Sequence, residues 1–238
     1  AGLEGLGAGG PAGAGGLRAR PYAVLGEEVG DAGSLAVVDQ MSVGIDQALA
    51  FALDELAMAV AERLGWAHDA GLVAVLDMHE DVYGVGFGFD GAPRWACDEA
   101  RYAAFTPTDP WFFANFDPNV EACVDELYTT REKQFVAAWR HVAEKLAHSP
   151  AVIGFDVLNE PGWGSYGEAV FEHDRLAPLY RDVVAEVRGA APDWVAFLEP
   201  SSSRNAGFST KLTAFDFADV MYAPHSYDSN AEMGSGFD

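Results

Sequence analysis

The chain has 238 residues, half of them apolar, which is enough for one large domain or two small ones with a sizeable core. Its formal net charge is −23, from 37 acidic against 14 basic side chains, so nucleic acid and anionic membrane surfaces are disfavoured and neutral partners such as carbohydrates stay open. No apolar stretch approaches the roughly 20 residues of a membrane span, so no stable membrane insertion is expected, and the first residues lack the charged start and apolar core of a signal peptide.

In chain order, residues 1–20 open with the run "AGLEGLGAGGPAGAGG", which buries too little apolar surface to offset chain entropy. It is read as a loose tail ahead of a folded unit over 21–238. Residues 21–45 hold two short strand-like pieces, "YAVLG" and "SLAVV". From about residue 46 to 69 the period is helical, with Leu49, Leu53, Leu56, Val60 and Leu64 on one face and Gly71 as the stop. "LVAVLDMH" (72–79) follows as a continuous apolar run, the mark of a strand buried on both faces. The pattern recurs. Phe135, Trp139, Val142 and Leu146 line a helix that stops at "HSP", and "AVIGFDVLN" follows. Leu176, Leu179, Val183 and Val187 line another that stops near Gly189, ahead of "WVAFLE" (194–199) and then "DVMYAPH" (219–225). Alternating helix and buried strand implies parallel βα units with right-handed crossovers.

Each of these last four strands ends in polar residues: Asp77 and His79, Asn159 and Glu160, Glu199, and His225. A (β/α)8 barrel builds its active site from such strand ends, whereas a doubly wound sheet gathers ligands at one switch point. The barrel is favoured. Four clear strands and two weaker ones make about six βα units, so the barrel is expected to be incomplete at the C-terminus.

A carboxylate at Glu160, beside Asn159 and before the turn-setting Pro161, is placed for catalysis; a plain strand end running into a turn is the alternative. His79, within "DMHED", is a site residue or a satisfied core histidine. His225 and Tyr227 share one side of an extended chain and could orient a carboxylate or contact a sugar. A metal cluster of His79, Asp81 and His225 lacks an HxH pair or a bridging lysine. No CxxC or HExxH spacing suggests zinc, and "GVGFGF" (84–89) lacks the strand-to-helix setting of a dinucleotide loop, so no metal or cofactor is expected. Cys97 and Cys123 fit one bridge or two buried thiols equally well. The loop after "LVAVLDMH" runs nearly forty residues and carries ten aromatics from Tyr83 to Phe116. They suit sugar faces or a lipid chain, or a local core covering the barrel, which at least half of them are expected to form.

"LDMHEDVYG", "GFDVLNEP" and "PHSYD", in this order on successive strands, resemble glycoside hydrolase family 5, in particular its endoglycoceramidase-related branch. The match covers about residues 60–238. The resemblance implies a (β/α)8 barrel and a retaining glycosidase cleaving β-glycosidic bonds in a glycolipid or glycan. The alternatives are a cellulase- or mannanase-type endo-β-glycanase and a non-catalytic carbohydrate-binding barrel. It implies Glu160 as acid/base, with Asp77, His79, Asn159, His225 and Tyr227 in sugar-binding or carboxylate-orienting positions. It also implies a secreted or periplasmic location. The chain departs from the family in three ways. Glu80 stands where that branch uses glutamine. The first 58 residues lack the family's Arg-containing second strand and read like a misassembled stretch. The seventh-strand nucleophile falls beyond Asp238, so the chain as given is expected to be inactive. Glu199 and Glu232 are the nearby carboxylates, and neither matches a nucleophile motif. The sugar, the lipid requirement and the oligomeric state are open.

Overall fold

Five parallel strands form one sheet in the order of the chain: β1 (Tyr22–Val24), β2 (Val73–Asp77), β3 (Val152–Asp156), β4 (Val195–Leu198) and β5 (Val220–Tyr222). The computed structural model describes residues 22–24, 45–228, 230 and 236. The tail assigned to residues 1–20, the strand-like piece at 34–38 and Glu232 lie outside them. Because β1 pairs directly with β2, no strand stands between them in the sheet.

Strictly sequential order separates the two architectures open to the sequence. A doubly wound sheet reverses its order at a switch point, and this sheet does not. The described part is a run of five successive strands of a (β/α)8 barrel.

Three long helices, α1 (Ile45–Asp69), α4 (Glu132–Leu146) and α5 (Ala177–Ala190), share the core with the sheet. Two others, α2 (Glu99–Ala104) and α3 (Pro118–Leu127), lie in the long connection between β2 and α4, and one short helical turn, Glu168–Phe171, precedes α5. Leu64, Trp139, Leu146, Leu179, Val183 and Val187, read as helix stripes, are all buried in one core with Ala74, Phe155, Ala196 and Leu198 from the strands. Alternation explains which strand residues reach it: in β2, Ala74 and Leu76 are buried while Val73, Val75 and Asp77 face the other side.

The crossover from β4 to β5 has no α-helix. Residues 199–219 carry a 3-10 turn, Ser202–Ala206, and otherwise irregular chain. The Ser/Thr/Asn/Gly-rich stretch "SSSRNAGFST" has no apolar period to support a helix. Leu212, Phe215 and Phe217 pack against the core in its place, with Arg181 of α5 lying 5.0 Å over the Phe215 ring.

Candidate active site

Two buried donors fix where the strands end. The Trp139 indole N–H of α4 donates to the carbonyl of Val157 at 2.9 Å, one residue past β3. The Tyr180 hydroxyl of α5 donates to the carbonyl of Glu199 at 2.7 Å, one residue past β4. Each helix thus satisfies the first carbonyl beyond the strand it precedes, where the sheet ladder has stopped and a bare acceptor would be costly.

Glu160 lies just past that point on β3. Its φ is +43°, a left-handed conformation that costs a non-glycine residue on the order of 1–3 kcal/mol. Its backbone N–H donates to Oε2 of Glu199 at 2.9 Å. Its Oε1 accepts from His225 Nδ1 at 2.6 Å and from the Tyr227 hydroxyl. On the far side of the imidazole, Nε2 of His225 is 3.1 Å from Oε1 of Glu199. Facing two carboxylates, and hydrogen-bonded to Glu160 above all, His225 is raised to about 10 and is an imidazolium at neutral pH. Burial pushes Glu160 up, but the hydrogen bonds from His225 and Tyr227 and the charges of His225 and His79 outweigh it and hold the carboxyl below its ordinary range.

His79 has the same kind of setting at the end of β2. Its Nδ1 is 2.9 Å from Asp77 Oδ2 and its Nε2 is 3.6 Å from Asp81 Oδ2, and the two hydrogen bonds raise it to about 10. Asn159 is 4% exposed, and its side-chain amide donates to the Glu80 carbonyl at 2.9 Å. That bond uses one of the two N–H donors of the amide to tie the β3 loop to the β2 loop. Glu80 itself is 8% exposed. Gly91, at φ +124°, closes over it where a Cβ would come within 2.8 Å of the Glu80 Cβ. Burial raises the Glu80 carboxyl to about 8.

One layer deeper, Asp77 and Asp156 are registered partners across β2 and β3. Asp156 is raised, by burial first and then by the charges of Glu199 and Asp77, and Glu199 is raised by burial. Glu199 accepts from two donors while Asp156 Oδ1 has no hydrogen-bond partner, so the proton of this pair resides on Asp156.

Glu160, His225 and Tyr227 therefore meet directly, and His79 acts on Glu160 through its charge. Asp77 reaches the site through His79, and Asn159 is turned into the loop contact. Three residues that sequence reasoning gave no role also shape the site: Asp156, Tyr180 and Glu172. Glu172 is 1% exposed and takes the backbone N–H of Ser201 at 2.8 Å and the Thr210 hydroxyl at 2.9 Å, anchoring the loop after β4. Glu172 sits in the π-helical stretch Glu172–Leu176, which no local pattern of the sequence marks. Glu199 is 2% exposed with both oxygens engaged, which does not suit attack on a sugar. Among the described residues no cluster of His, Cys, Asp or Glu is arranged to hold a metal ion.

Of the ten loop aromatics, Tyr83, Phe87, Phe89, Trp95, Tyr102 and Phe105 pack into the core. Cys97 and Cys123 are bridged, with Cα atoms 5.6 Å apart, and pin this loop to α3. Trp111, Phe113 and Phe116 are exposed and belong to a strip of neighbouring rings running from Phe89 to Trp163, three residues past Glu160.

The family model for cellulase, glycosyl hydrolase family 5, matches residues 40–237. Endoglycoceramidase I of Rhodococcus hoagii (strain 103S) is 28% identical over 188 residues, covering 71% of this chain and 38% of that protein. Endoglycoceramidase of Hydra vulgaris is 28% identical over 138 residues, covering 44% of this chain and 24% of that one. Among solved structures, endo-glycoceramidase II from Rhodococcus sp. in complex with ganglioside GM3 superposes with a TM-score of 0.69 at 28% identity, over 82% of this chain and 47% of that one. The chain spans less than half the length of each of these relatives. With the family model covering most of the sequence and a sequential parallel sheet carrying its polar strand ends at one mouth, the chain belongs to the cellulase family, glycosyl hydrolase family 5.

Proposed function

We propose that this domain supplies the acid/base side of a retaining glycoside hydrolase acting on a β-glycosidic bond in a glycolipid, in the manner of an endoglycoceramidase. The observation that carries the reading is Glu160, whose carboxyl is held at the barrel mouth by His225 and Tyr227. In this role Glu160 protonates the leaving oxygen and later draws the proton from water, while a second carboxylate about 5–5.5 Å away attacks the anomeric carbon. Glu199 is not assigned that second part, since burial and its two hydrogen bonds hold it back. His79 with Asp77, His225 and Tyr227 orient Glu160 and the sugar.

The exposed aromatic strip supports an amphiphilic substrate, since it offers apolar faces beside a polar, charged mouth. The names of the relatives point the same way. The Cys97–Cys123 bridge supports an oxidising, exported location.

The test is hydrolysis of a ganglioside by the full-length protein that carries this domain, with Glu160→Gln beside it. Release of intact oligosaccharide is expected, with a loss of about 10²–10⁴-fold in the variant. Residues 1–238 alone are expected to fall short of ordinary enzyme rates. Equal rates for wild type and variant overturn the assignment. Turnover confined to cello-oligosaccharides or mannan moves the reading to an endo-β-glycanase, and binding without turnover moves it to a carbohydrate-binding barrel.

A further inference from the structure

We infer that Glu199 is a positioning residue for the acid/base: one of its oxygens fixes the backbone of Glu160 and the other fixes the ring of His225, so that a single buried carboxylate sets both the place and the proton supply of the reacting carboxyl. The inference rests on the reading of Glu160 as acid/base.

Topology puts Glu199 where it can do this. The strand β4 is the direct neighbour of both β3 and β5. A side chain at its tip reaches the loop after β3, which carries Glu160, and the loop after β5, which carries His225. Oε2 accepts from the Glu160 N–H at 2.9 Å, at the residue whose φ is +43°. Oε1 lies 3.1 Å from His225 Nε2, while His225 Nδ1 lies 2.6 Å from Glu160 Oε1. An imidazole can donate from both nitrogens only when doubly protonated, and carboxylate oxygens only accept, so the geometry calls for an imidazolium between two carboxylates.

The carboxylate is itself braced. Tyr180 holds the Glu199 carbonyl at 2.7 Å. Ser202 N–H donates to the Pro161 carbonyl at 3.0 Å and Ser201 N–H to Glu172 at 2.8 Å, so the loops after β3 and β4 are tied on both sides of the contact. At 2% exposure Glu199 does not touch substrate and acts through its two partners.

The arrangement gives the resting site a proton to hand over. Transfer from His225 Nδ1 to Glu160 Oε1 turns the pair of imidazolium and carboxylate into a neutral imidazole and a carboxylic acid, with Glu199 still ionised and no net change in charge. The remaining imidazole proton stays on Nε2, because Glu199 accepts it there. Nδ1 is then a bare acceptor facing Glu160, ready to take the proton back. Removing Glu199 frees the ring to hold its proton on either nitrogen.

The groups facing His225 are Glu160, Glu199 and Tyr227, with the field of Asp156 beneath. Those acting on Glu199 are His225 and Asp77, with the charge of Glu199 in turn raising Asp156, and those acting on Glu160 are His225, Tyr227 and His79, with Glu80 beside it.

The experiment is a pH titration of the protein labelled with ¹⁵N-histidine, followed by the two ring nitrogens of His225, with His148 as a remote control. His225 in wild type is expected to stay doubly protonated until about pH 10 and then to appear as the Nε2–H tautomer. Glu199→Gln is expected to lower that midpoint by about 1–3 pH units and to mix the tautomers, with Glu199→Asp recovering part of the shift. A midpoint in Glu199→Gln equal to wild type overturns the inference. So does a wild-type ring that deprotonates to Nδ1–H, a result that needs no variant to fold. Neither outcome touches the acid/base reading, which stands or falls on ganglioside hydrolysis by Glu160→Gln.

Discussion

Replacing Glu80 with glutamine should stabilise the protein at neutral pH. Glu80 is buried beneath Gly91, and burial lifts its carboxyl from 4.5 to about 8, against the pull of the Gly162 N–H and of His79. Between those two values the unfolded chain has released the proton and the folded chain has kept it. The folded state then binds more protons than the unfolded one, so stability falls as pH rises. The slope is about 1.4 kcal/mol per pH unit, which accumulates to about 3 kcal/mol at pH 7 and about 5 kcal/mol from pH 8 upward. Glutamine has nearly the same shape, keeps an oxygen for the Gly162 N–H, and does not titrate. The assay is urea unfolding followed by tryptophan fluorescence at half-unit steps from pH 4.5 to 8, on wild type and Glu80→Gln. Other titrations shared by the two proteins cancel in the difference. That difference should start near its smallest value at pH 4.5 and grow in favour of the variant by about 3 kcal/mol at pH 7. A difference that stays flat across the range would refute the reasoning, because it would mean that Glu80 is already ionised in the folded protein.

Reducing the Cys97–Cys123 bridge, which closes a separation of 26 residues, should cost about 3–4 kcal/mol and lower the melting temperature in calorimetry with and without reductant. Trp139→Phe should cost about 2–4 kcal/mol in denaturant unfolding, since it removes volume from a fully buried site and orphans the Val157 carbonyl. Changing Trp111, Phe113 and Phe116 together to serine should leave stability within about 1 kcal/mol, because all three are exposed, yet should weaken binding to ganglioside micelles measured by sedimentation.

Most of the frame was legible because each signal is local. Continuous apolar runs such as "LVAVLD", each following a helix stopped by Gly71 or "HSP", mark the strands. The expected burial on both faces is not met: in the described sheet one face is fully buried and the other leaves Val73, Val75 and Ile153 partly exposed. Glu160, His225 and Tyr227 stood out as polar residues at strand ends, and the fold does bring them into direct contact. What stayed hidden depends on residues far apart in sequence. Asn159 is an amide beside a carboxylate, and only the approach of the β2 loop shows that its nitrogen also donates to the Glu80 carbonyl. The state of Glu80 depends on its burial and on the Gly162 N–H of the β3 loop, far away in sequence. Glu199 looked like a stray carboxylate that could have substituted for a nucleophile. Its part is decided by strand adjacency and by the left-handed backbone of a residue 39 positions earlier. The helix-free crossover after β4 was silent because an aromatic loop packed without a period leaves no pattern to read.

Both histidines at the mouth are built on one plan. His79 lies between Asp77 and Asp81, and His225 lies between Glu160 and Glu199. Each is raised to about 10 by its carboxylates, so each behaves at neutral pH as a fixed cation in a chain whose net charge is −23. The hydrogen bonds from His225 and Tyr227, together with those two charges, hold Glu160 below its ordinary range despite burial. An arginine would give the same field but could never lend its proton. An imidazolium gives the field and can yield the proton when a leaving oxygen needs it, as long as a carboxylate stands behind it to fix the ring. Glu199 fills that position for His225. For His79, whose flanking aspartates are its neighbours in sequence and do not bond to Glu160, the same pairing yields a charge without a relay. The difference lies in adjacency across strands: a relay to Glu160 needs a residue on β5 and a brace on β4, and the sequential sheet provides both.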